Sequence, residues 1–104
     1  MKLWYIYIMT NKPNGVLYIG VTDNLLERVK EHKLKVYRNS FTAKYNCDKL
    51  VYFEEWKKGD DAAIREQQFK KWKRDWKIKL IVDMNPSWMD ISLNWNFDFG
   101  KLRE

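Results

Sequence analysis

Five side chains offer more chemistry than their local elements require: Tyr7, Tyr18, Arg28, His32 and Glu66. Phenol and imidazole groups give and take protons, a guanidinium binds anions, and a carboxylate pairs with a cation or holds a metal. The two tyrosines lie in β-branched and aromatic runs, Tyr5-Ile6-Tyr7 and Tyr18-Ile19-Gly20, on either side of a turn-rich stretch from Thr10 to Gly15. With Pro13, Asn14 and Gly15 between them, the runs predict a β-hairpin. Symmetric closure sets Tyr7 opposite Tyr18, Met9 opposite Val16 and Tyr5 opposite Gly20. Alternation then sends Tyr5, Tyr7 and Tyr18 to one face and Ile6, Ile8, Leu17 and Ile19 to the other. The aliphatic face requires a core. On the tyrosine face the hydroxyls need partners or water, in a core as much as in a site.

Arg28 and His32 are i, i+4 on the next predicted helix and border its Leu25/Val29 stripe. Taken alone, such a pair is an ordinary boundary arginine and a hydrogen-bonded histidine. Glu66 lies at helical spacing from Ala62, Ala63 and Phe69, at the rim of a buried stripe where a charge is costly unless paired or metal-bound. Lys70, four residues on, is its ready ion-pair partner. Asn85, before Pro86, reads first as a helix terminator.

These groups must be positioned by a small set of elements. Strands are expected at 3–9, 16–21 and Leu50–Phe53, and helices at about 24–34, from Gly59 to about Lys73, and over Arg74–Met84. Asn24 and Glu27 have capping-box spacing at the first helix, with Thr22 and Asp23 as rival caps. The polar stretch 35–48 reads as a loop. The tail 87–104 holds Trp88, Met89, Ile91, Leu93, Trp95, Phe97 and Phe99, and is expected to pack back on the core. The fold class is α/β of the α+β kind: a small, mainly antiparallel three-stranded sheet with helices packed on it, in one domain spanning 1–104.

A chain of 104 residues with 45% apolar content, six Trp, six Tyr and five Phe can bury a core without staples. Its one cysteine, Cys47, excludes an internal disulfide and reads as a small buried hydrophobe suited to a reducing compartment. Neither a signal peptide nor a membrane-length apolar run is present, so a cytoplasmic location is expected. The net charge of +6 concentrates in two helical segments: six basic residues against one acid from Arg28 to Tyr45, and nine against four from Lys57 to Lys79. Such segments attract polyanions, nucleic acid first, although a solvated lysine face explains them equally well. The expected phosphate contacts are Arg38, Lys44, Lys70, Lys71, Lys73 and Arg74.

Taken together, the residues resemble the GIY-YIG endonucleases: two strands bearing tyrosine triplets, an arginine eight residues after the second triplet's glycine, a histidine one turn on, and a glutamate on a later helix. The likeness covers about residues 3–86 and is strongest to the small stand-alone bacterial branch, related to the N-terminal nuclease domain of the excision-repair incision subunit. Two departures stand out. Tyr5 replaces the usual glycine of the first triplet, and Val21 stands where excision-repair relatives often carry lysine.

The resemblance implies a divalent-metal-dependent DNA endonuclease with a role in repair or recombination. Glu66 would hold one Mg²⁺ or Mn²⁺ and Arg28 would clamp the scissile phosphate. Tyr7, Tyr18 or His32 would handle the attacking water's proton, and Asn85 would support the site from behind. A phenol titrates near about pH 10 unless nearby cations lower it. With no room for a separate recognition domain, the expected selectivity is for DNA structure rather than sequence. Two alternatives stand beside the enzyme: a catalytically weak nucleic-acid-binding module of the same fold, and a protein-interaction domain using the aromatic tail.

Overall fold

The structure, a computed structural model, describes residues 2–96. Seven elements follow in order: β1 (Trp4–Thr10), β2 (Leu17–Thr22), α1 (Leu25–Leu34), α2 (Phe41–Lys44), β3 (Lys49–Trp56), α3 (Gly59–Lys71) and α4 (Arg74–Met84). The strands form one antiparallel sheet in the order β2-β1-β3, so β1, the most apolar strand, is central. Alternation along β1 feeds two cores. Ile6 and Ile8 join Ile19, Val51, Ala62, Phe69, Ile81 and Trp88 beneath α3 and α4. Tyr7 and Met9 join Leu25, Val29, Cys47 and Leu50 beneath α1. The antiparallel three-stranded sheet with packed helices is the fold expected from the sequence.

The hairpin register differs from the symmetric expectation. Tyr7 pairs with Gly20, Met9 with Tyr18 and Thr10 with Leu17, two residues away from the predicted pairing. The loop is set by side chains and one unusual backbone angle. The Asn11 carboxamide accepts the Val16 N–H at 2.9 Å, Thr10 donates to the Lys12 carbonyl at 2.9 Å, and Asn14 takes φ = 57°. Because the slip is even, every side chain keeps its expected face.

A β-bulge interrupts the β1–β3 pair. Ile8 pairs with Tyr52 and Met9 with Leu50, leaving Val51 as the extra residue. Alternation breaks there, so Val51 and Tyr52 both join the α3/α4 core while Leu50 joins the other. Asn85, the C-cap of α4, donates to the Val51 carbonyl at 3.1 Å and to the Met89 carbonyl at 2.8 Å. The residue read as a terminator therefore joins α4, the bulge and the tail.

Within the described residues the tail packs in part. Trp88 is buried, and Ile91 and Trp95 lie against the α1-side core, but Met89 and Leu93 are exposed. Asp90 fixes the segment by accepting from Lys33 Nζ at 2.6 Å, Leu50 N at 3.1 Å and the Ser92 hydroxyl at 2.6 Å. The expectations for Phe97 and Phe99 lie outside the described residues. The stretch 35–48 is not all loop: Ser40 caps the one-turn helix α2 by accepting from Ala43 N at 3.3 Å. β3 runs longer than expected, to Trp56, and α3 stops at Lys71 because Trp72 is extended. Among the described residues no helix is long and apolar enough to cross a membrane.

Candidate active site

β1, β2 and α1 converge on the Tyr7 hydroxyl. Tyr7 is fully buried, and its ring occupies the space above Gly20, where an added β-carbon would lie 2.5 Å from the phenol oxygen. Glycine is therefore required there by contact, not by backbone angle. Asn24 caps α1 by accepting from Glu27 N at 3.2 Å, as the sequence suggested. The helix thus presents Leu25, Val29 and His32 to the sheet. His32 lies 2.8 Å from the Tyr7 hydroxyl through Nε2, and its Nδ1 is 2.8 Å from the Thr42 hydroxyl on α2. Tyr18 completes the cluster, its ring centroid 6.2 Å from Tyr7 and 5.4 Å from His32.

Electrostatics orders these groups. Burial raises Tyr7 well above the ordinary phenol range; Tyr18 adds to the rise, while the Arg28 guanidinium at its hydroxyl opposes it. Burial, then the Arg28 charge, pushes His32 down to about 4. At neutral pH the pair is a neutral phenol on a neutral imidazole. Arg28 itself holds Glu31 at 3.0 Å and lies 5.9 Å from the centre of the Tyr37 ring. The cluster grades outward: His32 and Tyr7 are buried, whereas Tyr18 is half-buried.

Tyr18 also lines an open groove of about 280 Å³ with Leu17, Ile19, Phe41, Lys70 and Lys77. Three successive residues of the edge strand β2 form its floor, so the groove follows the open side of the sheet. It reaches α3 at Lys70, whose Nζ is 3.5 Å from Glu66. Glu66 is buried on the Ala62/Phe69 stripe of α3, which lies over β1 and β2 on the aliphatic face. Tyr7, Tyr18, Arg28 and His32 are thus brought together directly. Glu66 is not among them: it lies on α3 over the aliphatic face of the sheet and is linked to the groove only through Lys70. A larger cavity of about 410 Å³ opens at the Tyr5 end of the tyrosine face. Its rim carries Asp23 and Glu55, which repel phosphate, and it holds none of the five residues.

The donor set at Glu66 suits a hard cation that keeps most of its water. Its polar contacts to Lys70 and to Gln67 are both long, at 3.5 Å, so neither holds the carboxylate tightly. Among the described residues no group of three or more His, Cys, Asp or Glu forms a denser metal cage. The basic residues divide. Arg38, Lys44, Lys71 and Lys73 are exposed, and Lys70 faces Glu66. Arg74 donates to the Asn14 carbonyl at 2.8 Å and to the Gly15 carbonyl, tying α4 to the hairpin loop. Asn85 is engaged with the bulge and the tail, as described above.

Three participants were not legible beforehand: Thr42, Phe41 and Lys77. The first two sit on the one-turn helix, whose only signal is Ser40 followed by a short helix-compatible run. Lys77 is one lysine among many until the groove selects it.

Comparison with known proteins gives concordant results. A family model described as the GIY-YIG catalytic domain matches residues 3–79. A UPF0213 protein of Clostridium perfringens is 40% identical over 74% of this chain and 81% of its own length. One from Desulfotalea psychrophila is 31% identical over 64% of this chain and 60% of its own. A shorter match, 47% identical over 33% of this chain and 32% of its own length, is a UPF0213 protein of Autographa californica nuclear polyhedrosis virus. No solved structure matches.

Proposed function

The chain belongs to the GIY-YIG catalytic-domain family, and on that premise we propose that it is a divalent-metal-dependent DNA endonuclease. It hydrolyses phosphodiester bonds in the cytosol, selects DNA by structure rather than sequence, and serves repair or recombination. One observation carries the reading: the Tyr7 hydroxyl meets His32 Nε2 at 2.8 Å while Arg28 acts on the same hydroxyl. A proton acceptor and an anion clamp therefore converge on one phenol.

Tyr18 is the phenol that meets the groove, and hence the attacking water. As the water gives a proton to the Tyr18 oxygen, Tyr18 passes its own to Tyr7, and Tyr7 passes its own to His32 Nε2. The water oxygen forms its bond to phosphorus as the bond to the 3′ oxygen breaks, and that oxygen takes its proton from solvent. Concerted transfer suits these groups, since burial disfavours a free Tyr7 phenolate. His32, held down to about 4, is unprotonated at neutral pH, so its lone pair is available, as a weak base, to the end of the relay. Arg28 binds the non-bridging phosphate oxygens through its planar fork. Glu66 would hold one Mg²⁺ or Mn²⁺, and such an ion supplies positive charge for the departing oxygen. Asn85 acts at a distance by fixing the β3 bulge beneath the site. Lys70, Lys71, Lys73 and Lys77, with Arg38 and Lys44, bind the flanking phosphates.

Incubation with branched, nicked, duplex and single-stranded DNA plus Mg²⁺ or Mn²⁺ tests the reading. Cleavage is expected to fall at least about 100-fold in Glu66→Ala and Arg28→Ala while salt-sensitive binding persists. Wild-type cleavage of every substrate no faster than that of Glu66→Ala would overturn it. Salt-sensitive binding by such an inactive wild type would instead favour the binding-module alternative, in keeping with Val21 in place of a lysine.

A further inference from the structure

We propose that Thr42, on the one-turn helix α2, is a positioning residue that fixes the tautomer of His32 and so keeps Nε2 open toward Tyr7. A neutral imidazole carries one N–H, and its location decides whether Nε2 accepts or donates. Both nitrogens of His32 are engaged, Nε2 with Tyr7 and Nδ1 with Thr42 Oγ1, each at 2.8 Å. Hydroxyls at both ends could serve either tautomer, so the outer partners decide.

At the inner end, Arg28 lies beside Tyr7 and interacts with its hydroxyl. A guanidinium only donates, and its positive charge beside the phenol favours the orientation in which the phenol proton points away from it, toward Nε2. At the outer end, Thr42 Oγ1 has a further partner, Ser40 Oγ at 3.3 Å. Ser40 Oγ already accepts from Ala43 N at 3.3 Å as the α2 cap. The proposed chain runs outward from the phenol. Tyr7 donates to Nε2, Nδ1–H donates to Thr42, and Thr42 donates to Ser40. Thr42 is 2% exposed, so water does not readily replace it as the acceptor. Its place is fixed by backbone too, since its carbonyl accepts from Cys47 N at 2.8 Å.

The kinetic consequence rests on the nuclease reading, but the tautomer does not. ¹⁵N NMR of the His32 ring decides the tautomer in the wild-type protein without any substrate. Protonated Nδ1 with unprotonated Nε2 is expected, and an Nε2–H ring would overturn the proposal whatever the enzyme cuts. In Thr42→Val the Nδ1–H loses its acceptor, so the Nδ1–H signature should weaken. Cleavage should fall about 10- to 100-fold in kcat with little change in KM. Thr42→Ser should restore both. A Thr42→Val protein with wild-type ring shifts would overturn the assignment, as would loss in Thr42→Val that Thr42→Ser fails to rescue. Should Thr42→Val not fold, the wild-type ring shifts and the serine variant still decide.

Discussion

Gly20 stands directly across the β1–β2 ladder from Tyr7, and the phenol fills the volume that a side chain at 20 would take. The added methyl of Gly20→Ala would lie 2.5 Å from the ring's outer atoms, and the ring is enclosed on its other sides. We expect the substitution to cost about 1–3 kcal/mol in denaturant unfolding and to lower cleavage by about 100-fold. In a Tyr7→Leu background its stability cost should shrink below about 1 kcal/mol. An undiminished cost there would locate the clash elsewhere.

The low value of His32 makes stability depend on pH in a defined direction. Its folded value, about 4, lies below the ordinary value near about 6.5. The contribution is therefore complete above about pH 6.5 and is lost as pH falls toward about 4. Between pH 7 and pH 4.5 urea unfolding should show a loss of about 2 kcal/mol. Asp90 and Asp23 are both held below 3.8, so their own losses fall at lower pH. His32→Gln should flatten the profile above pH 4.5. A slope unchanged by that substitution would assign the titration to another group.

Arg74 and its neighbours should separate by experiment. Arg74 is tied to two loop carbonyls, so Arg74→Ala should cost about 1–2 kcal/mol of stability. Lys71→Ala and Lys73→Ala, both at exposed residues, should leave unfolding unchanged. Each should instead reduce the salt dependence of DNA binding by about one phosphate contact. Equal stability losses in all three would contradict this division.

Asp90 connects three segments, and its loss should be felt in all of them. Burial raises its carboxyl, but hydrogen bonds from Lys33, Ser92 and Leu50 outweigh that and hold it below its usual value. Asp90→Ala leaves Lys33 without its 2.6 Å partner and should destabilise by about 3 kcal/mol. Limited proteolysis should then cut between Ile91 and Asn96 earlier than in wild type. Unaltered protection there would mean that Trp95 and Ile91 alone hold the tail.

Periodicity made the layers readable and contact made the details unreadable. The faces of Tyr7, Ile8, Tyr18 and Ile19 follow from a period of two, which survives an even slip of register. The slip sets the Tyr7 ring over Gly20, a fit of volume that alternation does not encode. Leu25, Val29 and His32 repeat with the helix, so the face of α1 and the Asn24 cap were visible. Thr42 was not, because a one-turn helix has no repeat and its Phe41 points outward. Arg74 looked like any basic residue on a basic segment until the loop carbonyls claimed it. Asn85 was correctly a terminator, but its larger task depends on a bulge that leaves no trace in composition.

Tyr7 belongs to the central strand, bonded on both edges and covered on both faces, while its histidine's outer partner rides on a single helical turn. The two ends of the proposed proton path should therefore differ in how easily they come apart. Amides of β1 should exchange with solvent only as the whole fold opens, whereas those of α2 are released by a local opening of much lower cost. One side of the candidate site should therefore be as durable as the whole protein, while the other should open on its own.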